Sequence, residues 1–231
     1  MKMKKGKLIV IDGTDGSGKA TQARLLALRL KKEGYRVKPF EFPQYEKNLF
    51  GNLIGRCQAG DYGDFVSIDP HIGSVLYAAD RFESKPLIEK WLKAGYIVIM
   101  DRYVSANQIH QGGKIVNAKK RKVFLEWLER MEFGVFGLPR PDVILYLDVP
   151  LEISQKLLTL KGQKQKKVYL KGNKKDTLEN NQKYLRDSRE SALRLVKKQN
   201  KWSRVACAEK GELLSREAVA KKIWEKVESL L

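Results

Sequence analysis

Long apolar runs and cysteine residues are scarce in this sequence of 231 residues, and each scarcity excludes a class of protein. No stretch approaches the roughly 18 apolar residues of a membrane-spanning helix. The apolar stretch after the basic N-terminus, residues 8–11, runs into glycines and is too short for a secretory signal peptide. The two cysteines, Cys57 and Cys207, lie far apart without a CxxC motif or a nearby histidine pair, which argues against disulfides and a zinc site. These absences predict a soluble, cytoplasmic protein with reduced thiols and no membrane partner.

Acidic residues are few relative to basic ones, since 27 Asp and Glu stand against 46 Lys and Arg and give a formal net charge of +19. An excess of this kind indicates anionic partners, of which nucleic acid is one. A lysine-rich surface is also often only a solvated face. Charge alone therefore leaves open whether the anion is a nucleic acid or a nucleotide, and the motifs described below favour the nucleotide.

Five short apolar runs alternate with longer amphipathic stretches along the chain. Several runs are continuously apolar, which is typical of strands covered by helices on both faces. The stretches between them are long enough for helical crossovers, so the pattern predicts an α/β fold with a doubly wound, five-stranded parallel sheet. The predicted strands cover residues 7–12, 36–42, 96–101, 143–149 and 202–207. No linker divides the chain, and we expect a single domain over residues 1–231.

A glycine-rich loop carries the clearest functional signal. The strand that ends at Asp12 is followed by residues 13–19, GTDGSGK, which fit GxxxxGK, and then by a helical pattern. Glycines let successive main-chain N–H groups turn toward an anion, the helix adds its positive end, and Lys19 adds a charge for the β- and γ-phosphates. The motif predicts an ATP site in a P-loop NTPase fold. Its expected contacts are Gly13, Gly16, Ser17, Gly18, Lys19, Ala20 and Thr21.

The residue after Lys19 departs from the usual motif. A Ser or Thr hydroxyl normally contacts Mg²⁺ there, whereas this chain has Ala20, with Thr21 one place later. We expect Mg²⁺ to be held mainly by ATP oxygens and water, with one carboxylate from Asp101 or Asp15.

The tripeptide Asp101-Arg102-Tyr103 follows the third predicted strand and so lies at the carboxyl edge of the sheet, where open α/β folds bind ligands. Arg102 offers a planar fork to a monophosphate. Asp101 can hold metal-bound water or orient the attacking oxygen. The structural alternative is a surface salt bridge between neighbours.

Several motifs occur in order along the sequence, and together they resemble the thymidylate kinase family over most of the chain, as far as about Tyr184. They are Asp15 in the glycine-rich loop, Phe42-Pro43, residues 76–82 (LYAADRF), Asp101-Arg102-Tyr103 and residues 138–142 (LPRPD). The resemblance implies a nucleoside monophosphate kinase with a mobile lid. It would transfer the γ-phosphoryl group of ATP to dTMP, giving dTDP and ADP, with Mg²⁺ as cofactor and a homodimer as the assembly.

The resemblance assigns catalytic roles to Lys19, Asp15, Asp101 and Arg102. It implies that Asp101 and Arg102 act on the acceptor phosphate and on metal-bound water. It further implies that Asp15 meets the 3′-hydroxyl of the acceptor nucleotide or its metal. The alternative for Asp15 is a carboxylate that braces its own loop by accepting main-chain N–H bonds.

The resemblance also implies how the acceptor is recognised. Tyr77 and Arg81 lie four residues apart on a helical stretch and project from one face. Tyr77 would stack on thymine, and Arg81 would hydrogen-bond its carbonyl edge. Tyr77 can instead be a half-buried core residue. The other expected dTMP contacts are Asp15, Phe42, Pro43, Arg102, Asn107, Gln108, His110 and Gln111.

Two positions differ from the pattern of the family. His110 takes a place often held by a tyrosine that crowds a ribose 2′-hydroxyl, although a lone histidine is often a satisfied structural residue. Glu41 stands before Phe42-Pro43, where many relatives carry an arginine, so we expect no phosphate contact from it.

The expected lid, about residues 159–175, is rich in lysine and contains no arginine. Family members without an arginine in the P-loop supply one from the lid. The hypothesis is that lysines replace it here, with some loss of bidentate geometry. The candidates are Lys161, Lys164, Lys166 and Lys167. The alternative is a merely solvated basic loop.

Three other functions remain open at this point. One is a kinase for another monophosphate such as dUMP, because thymine recognition rests on few side chains. Another is an ATP-dependent protein that binds nucleic acid. The third is a scaffold that binds nucleotides without catalysis, which Ala20 and the arginine-free lid keep open.

Overall fold

The computed structural model describes residues 6–162 and 181–231. The strands are β1 Lys7–Asp12, β2 Val37–Glu41, β3 Ile97–Asp101, β4 Val143–Asp148, β5 Trp202–Ala206, β6 Ala208–Glu209 and β7 Glu212–Leu213. The α-helices are α1 Lys19–Lys32, α2 Leu49–Gln58, α3 Pro70–Lys93, α4 Val104–Gly113, α5 Ala118–Glu129, α6 Leu151–Gly162, α7 Gln182–Lys198 and α8 Arg216–Val227. A π-helical turn, Arg130–Val135, extends α5, and a 3₁₀ turn, Glu228–Leu230, follows α8.

The first five strands form one parallel sheet in the order β2-β3-β1-β4-β5. The expected five-stranded sheet is confirmed, and each predicted strand end falls within one residue of the observed one. The chain order reverses across the central strand β1, which places a ligand crevice at the carboxyl edge beside it. Ile11 of β1 lies opposite Asp101 of β3, so the residues that follow both strands meet at this edge.

Alternate residues of β1 face opposite sides of the sheet, as the pleat requires. Ile9 and Ile11 belong to the apolar cluster formed with α1 and α8, whereas Leu8 and Val10 belong to the cluster formed with α3, α4 and α7. Each fully buried aliphatic side chain contributes about 1.5–3 kcal/mol to folding. The continuously apolar strands of the sequence therefore reflect a sheet covered on both faces.

Strands β6 and β7 form a small antiparallel hairpin directly after β5, which the sequence analysis did not anticipate. Each has only two residues, too few to give a recognisable alternation of polar and apolar side chains.

Helix α1 begins at Lys19 because Gly18, with φ of 87°, turns the chain out of the glycine-rich loop. Its last turn carries Arg29, Lys31 and Lys32, whose charges complement the negative end of the helix. The loop thus lies at the positive end of a helix of 14 residues.

Helix α6 continues through Gly162, so the first residues of the expected lid, including Lys161, are helical rather than part of a loop. Lys164, Lys166 and Lys167 lie outside the described residues. Within residues 6–162 and 181–231, no helix combines the length and apolar character needed to cross a membrane.

Candidate active site

The glycine-rich loop closes around the ammonium group of Lys19. Lys19 Nζ donates hydrogen bonds to the main-chain oxygens of Gly13 and Thr14, each 3.0 Å away. Gly13 has no room for a side chain, because a Cβ there would lie 2.5 Å from Ser17 Oγ and 2.9 Å from the Leu147 carbonyl oxygen. The backbone is thus drawn close around a cation at the carboxyl edge of β1.

Lys19 is only 8% exposed. Burial lowers the pKa of Lys19, the nearby Arg102 lowers it further, and Asp15, whose Oδ1 lies 3.8 Å from Nζ, acts in the opposite direction. The buried hydroxyls of Thr14 and Ser17 have no hydrogen-bond partner among the described residues. An anion in the loop would give the Lys19 charge a counterion and these hydroxyls an acceptor.

Arg102 lies next to this loop and faces three carboxylates. Its Nη2 donates to Asp15 Oδ1, and its Nη1 lies 3.9 Å from Asp12 Oδ1. Burial lowers the pKa of Arg102, but Asp15, Asp12 and Asp101 together raise it above its ordinary value. Arg102 also has φ of 66°, a left-handed conformation that costs a non-glycine residue about 1 kcal/mol or more. The backbone strain directs a permanently charged guanidinium toward the P-loop.

Asp12 and Asp101 end the two neighbouring strands. Asp12 is fully buried and accepts hydrogen bonds from Ser105 Oγ at 2.6 Å and from the Gly13 N–H at 2.8 Å. Burial raises the pKa of both carboxyls, while the charges of Lys19 and Arg102 act to lower it. The four predicted catalytic residues are thus brought together, and Asp12 joins them although the sequence analysis assigned it no role.

His110 of α4 lies on the other side of Arg102. Its Nε2 is 3.0 Å from Arg102 Nη1 and its Nδ1 is 3.1 Å from Ser188 Oγ. The ring stacks on Tyr184, with centroids 5.6 Å apart and planes inclined by 16°. Burial lowers the pKa of His110 to about 3, with Arg102 as the next contribution. Both ring nitrogens have protein partners, as in a satisfied structural histidine, and the predicted contact of His110 with dTMP stays a prediction.

Arg81 of α3 is 2% exposed and forms a bidentate ion pair with Glu132. Glu132 is not among the site residues predicted from the sequence. Arg81 Nε and Nη2 donate to the two oxygens of Glu132 at 2.7 and 2.8 Å, and Nη1 donates to the Tyr103 carbonyl oxygen at 3.3 Å. Glu132 is fully buried and lies in the π-helical turn. Nothing in the sequence around Glu132 signals that it is buried.

Asn107 and Gln111 of α4 face α3 near this ion pair. Asn107 Nδ2 donates to Glu132 Oε1 at 2.8 Å and to the Ser74 carbonyl oxygen at 3.1 Å. Gln111 Oε1 is buried without a hydrogen-bond donor among the described residues, and it would lie 3.1 Å from a Cβ placed on Gly73. A buried acceptor that lacks a donor is costly, so Gln111 Oε1 is a candidate acceptor for a ligand N–H.

Tyr77 lies on α3, the helix that carries Arg81. It is half-buried beside Phe65, with ring centroids 6.1 Å apart. Its hydroxyl accepts a hydrogen bond from Gln58 Nε2 at 2.9 Å. These contacts hold the ring in place, and its predicted stacking on a base stays a prediction.

Two predicted contacts lie elsewhere. Gln108 projects from another side of α4 and lines a separate cavity with Phe133 and Trp202, so it does not join Asn107 and Gln111. Phe42 is buried in the core against Phe40 and Tyr103, and its predicted contact with dTMP stays a prediction. The Phe42–Pro43 peptide is cis.

Comparison with known proteins gives a consistent result. A family model described as thymidylate kinase matches residues 11–219. A probable thymidylate kinase of Thermococcus onnurineus is 40% identical over 153 residues, which are 64% of this chain and 69% of the relative. The thymidylate kinase of Mycobacterium tuberculosis is 30% identical over 147 residues, covering 64% of this chain and 68% of the relative.

A solved structure of thymidylate kinase from Candida albicans shares the fold. It superposes with a TM-score of 0.72 at 24% sequence identity and covers 98% of this chain and 92% of that chain. The family model spans most of the sequence and includes the glycine-rich loop from Asp12 onward, together with every residue of the site described above. The chain therefore belongs to the thymidylate kinase family.

Proposed function

We propose that the protein transfers the γ-phosphoryl group of ATP to dTMP, giving dTDP and ADP. The observation that carries this proposal is the convergence of Lys19, Arg102 and the P-loop at one edge of the sheet, beside the acceptor groups of α3 and α4. In this proposal one anionic ligand binds in the loop and a second binds between Arg102 and α3.

Repulsion between the two phosphates is the main energetic cost of this reaction. Two phosphates of charge about −2, held roughly 5 Å apart, repel each other by about 13 kcal/mol at an effective dielectric constant of 20. One cation does not offset that repulsion. Lys19 would bind the β- and γ-phosphates, while Arg102 would bind the acceptor phosphate and approach the transferring group. Asp15, which accepts a hydrogen bond from Arg102, would also accept one from the 3′-hydroxyl of the acceptor.

Gln111, Arg81 and Asn107 suit the edge of thymine. Thymine presents one imide N–H donor between two carbonyl acceptors, and the buried Gln111 Oε1 needs a donor. Three N–H groups of Arg81 donate to Glu132 and Tyr103, which leaves two for a carbonyl group. Tyr77 would stack on the ring. Gln108 is omitted from this proposed site because it lines another cavity.

Mg²⁺ fits the site as a nucleotide-bound ion. The described residues include no group of three or more His, Cys, Asp or Glu side chains placed to hold a metal. The carboxylates predicted to contact the ion, Asp101 and Asp15, are hard oxygen donors that suit one inner or water-mediated contact. When bound, the ion would neutralise phosphate oxygens. Asp101 would hold its water, and Lys19 and Arg102 would align the two phosphates.

Three further elements of the proposal rest on sequence. Residues 1–231 would form one domain, and the lysines of residues 159–175 would supply the charge that an arginine gives elsewhere in the family. A cytoplasmic location is supported by Cys57 and Cys207, which are free and belong to different apolar clusters.

Release of ADP tests the proposed reaction. With Mg²⁺ and ATP, we expect dTMP to give the highest kcat/KM and dUMP a value about 10–200-fold lower, because one methyl group contributes only about 1–3 kcal/mol. Cytosine lacks the imide N–H and would leave Gln111 unpaired, so dCMP should react about 10⁴-fold more slowly. Hydrolysis stimulated by DNA or RNA, without transfer to any monophosphate, would show that the protein is instead an ATP-dependent nucleic-acid-binding protein.

We further propose a homodimer formed through α3. Four apolar side chains, spaced along this helix at i, i+3, i+10 and i+15, are exposed, and they are Ile72, Val75, Phe82 and Leu87. In a dimer with a two-fold axis, this face of α3 would pack against the same face of the second copy. Each of the four residues would then occur twice in the interface.

Substitution of Phe82 tests the dimer. Phe82→Glu places two negative charges in the interface, one from each copy. It should raise the dissociation constant of the dimer on the order of 100-fold, as measured by sedimentation or light scattering. Val123→Glu, at a more exposed apolar position on α5, is the control and should leave the dimer intact. A monomeric parent protein, or equal effects of the two variants, would contradict the proposal.

A further inference from the structure

His110 lies between the arginine of the proposed reaction and a separate helix. One ring nitrogen meets Arg102 of the sheet edge at 3.0 Å, and the other meets Ser188 of α7 at 3.1 Å. Tyr184, one turn earlier on α7, covers the ring face. The side chain is 7% exposed, so these three contacts hold a buried ring.

The partner on Nε2 determines the tautomer of the ring. A guanidinium group only donates hydrogen bonds, so Nε2 facing Arg102 Nη1 must accept. The proton of the neutral ring is therefore on Nδ1, where it is donated to Ser188 Oγ. The ionisable groups whose charges act on the ring are Arg102, Lys19 and Lys114, which oppose its protonation, and Asp15, which favours it. Burial and the Arg102 charge are the largest influences and both keep the ring neutral.

We propose that His110 is a positioning residue for phosphoryl transfer, a neutral acceptor that orients the Arg102 guanidinium and is itself fixed by Ser188 and Tyr184 of α7. This inference rests on the proposed function, in which Arg102 binds the acceptor phosphate.

Asp15 and His110, which contact Arg102, have different roles in the proposed reaction. Asp15 holds Nη2 and would be needed by the acceptor nucleotide, whereas His110 holds Nη1 through a buried ring that Ser188 and Tyr184 of α7 fix in place. His110 is thus the contact that keeps the guanidinium plane oriented after the acceptor binds. Because the backbone of Arg102 is already fixed at φ of 66°, the remaining freedom is in the side chain, which this contact restricts.

Kinetics of two variants test the role. His110→Phe keeps a ring for Tyr184 and removes the acceptor, and we expect it to lower kcat/KM for dTMP about 10–100-fold while KM for ATP stays within twofold, since small misplacements of a reacting group cost up to about 10²-fold. His110→Gln restores an acceptor, so its kcat/KM for dTMP should recover at least a third of the logarithmic decrease caused by His110→Phe. Equal kcat/KM values for His110→Phe and the parent protein would overturn the proposal, as would a His110→Gln variant no better than His110→Phe.

Nitrogen NMR of the histidines provides a readout that depends neither on activity nor on a substitution of His110. The chain has two histidines, so His71→Gln identifies the signals of His110. We expect Nδ1 protonated and Nε2 unprotonated throughout pH 5–8. A proton on Nε2, or a charged ring at pH 6, would overturn the positioning role alone. A parent protein with the expected tautomer that does not phosphorylate dTMP would overturn the proposed function, and the positioning role with it.

Discussion

Arg102→Met is expected to lower kcat/KM for dTMP by at least 10³-fold. An arginine that stabilises the charge of a transferring phosphoryl group contributes 10³–10⁵-fold in related chemistry, and Arg102 is the guanidinium that the sheet edge presents beside Lys19. Methionine preserves most of the side-chain length and removes the charge. Steady-state rates of ADP release, with dTMP and ATP varied separately, provide the measurement.

Arg102→Lys separates charge from geometry. Both variants place a non-glycine residue at φ of 66°, so backbone strain is common to them and cancels in the comparison. Lysine keeps a positive charge and loses the planar fork, and we expect a rate between those of Arg102→Met and the parent. Arg140→Met, at an exposed arginine paired with Glu129, is the control and should leave kcat/KM unchanged. An Arg102→Met rate within tenfold of the parent would remove Arg102 from the proposed chemistry.

The sheet could be predicted from the sequence because its signals are local. Strands such as Val143–Asp148 are buried on both faces, so each shows as an unbroken apolar run between polar segments. The glycine-rich loop is also continuous in sequence, and Lys19 follows directly from its spacing. Arg102 and Asp101 were found because any residue after a parallel strand lies at the carboxyl edge.

Contacts between distant segments could not be predicted in the same way. Glu132 lies 51 residues from Arg81 and enters the core through a π-helical turn, which has no sequence signature. Ser188 reaches His110 across 78 residues. Gln108 and Asn107 are adjacent in sequence, but successive residues of a helix point about 100° apart, and the two side chains face different elements. These contacts around the site arise only when the helices pack together.

The buried ion pair between Arg81 and Glu132 should dominate the effect of mutations on stability. Glu132→Met leaves the Arg81 charge uncompensated at a site that is 2% exposed, and we expect the free energy of unfolding in urea to fall by about 3–5 kcal/mol. Glu129→Met removes an exposed partner of Arg140 and should cost no more than about 1 kcal/mol. A loss below about 1 kcal/mol for Glu132→Met would mean that water or another carboxylate reaches Arg81.

The double variant Arg81→Met with Glu132→Met distinguishes the two roles of this pair. Removing both charges eliminates the uncompensated one, so the double variant should be more stable than Glu132→Met, although both lose the ion pair. If Arg81 also donates to the carbonyl edge of thymine, the recovered stability will not restore KM for dTMP. A double variant that recovers both the stability and the parent KM for dTMP would show that Arg81 acts only in the core. Base recognition would then rest on Gln111, Asn107 and Tyr77.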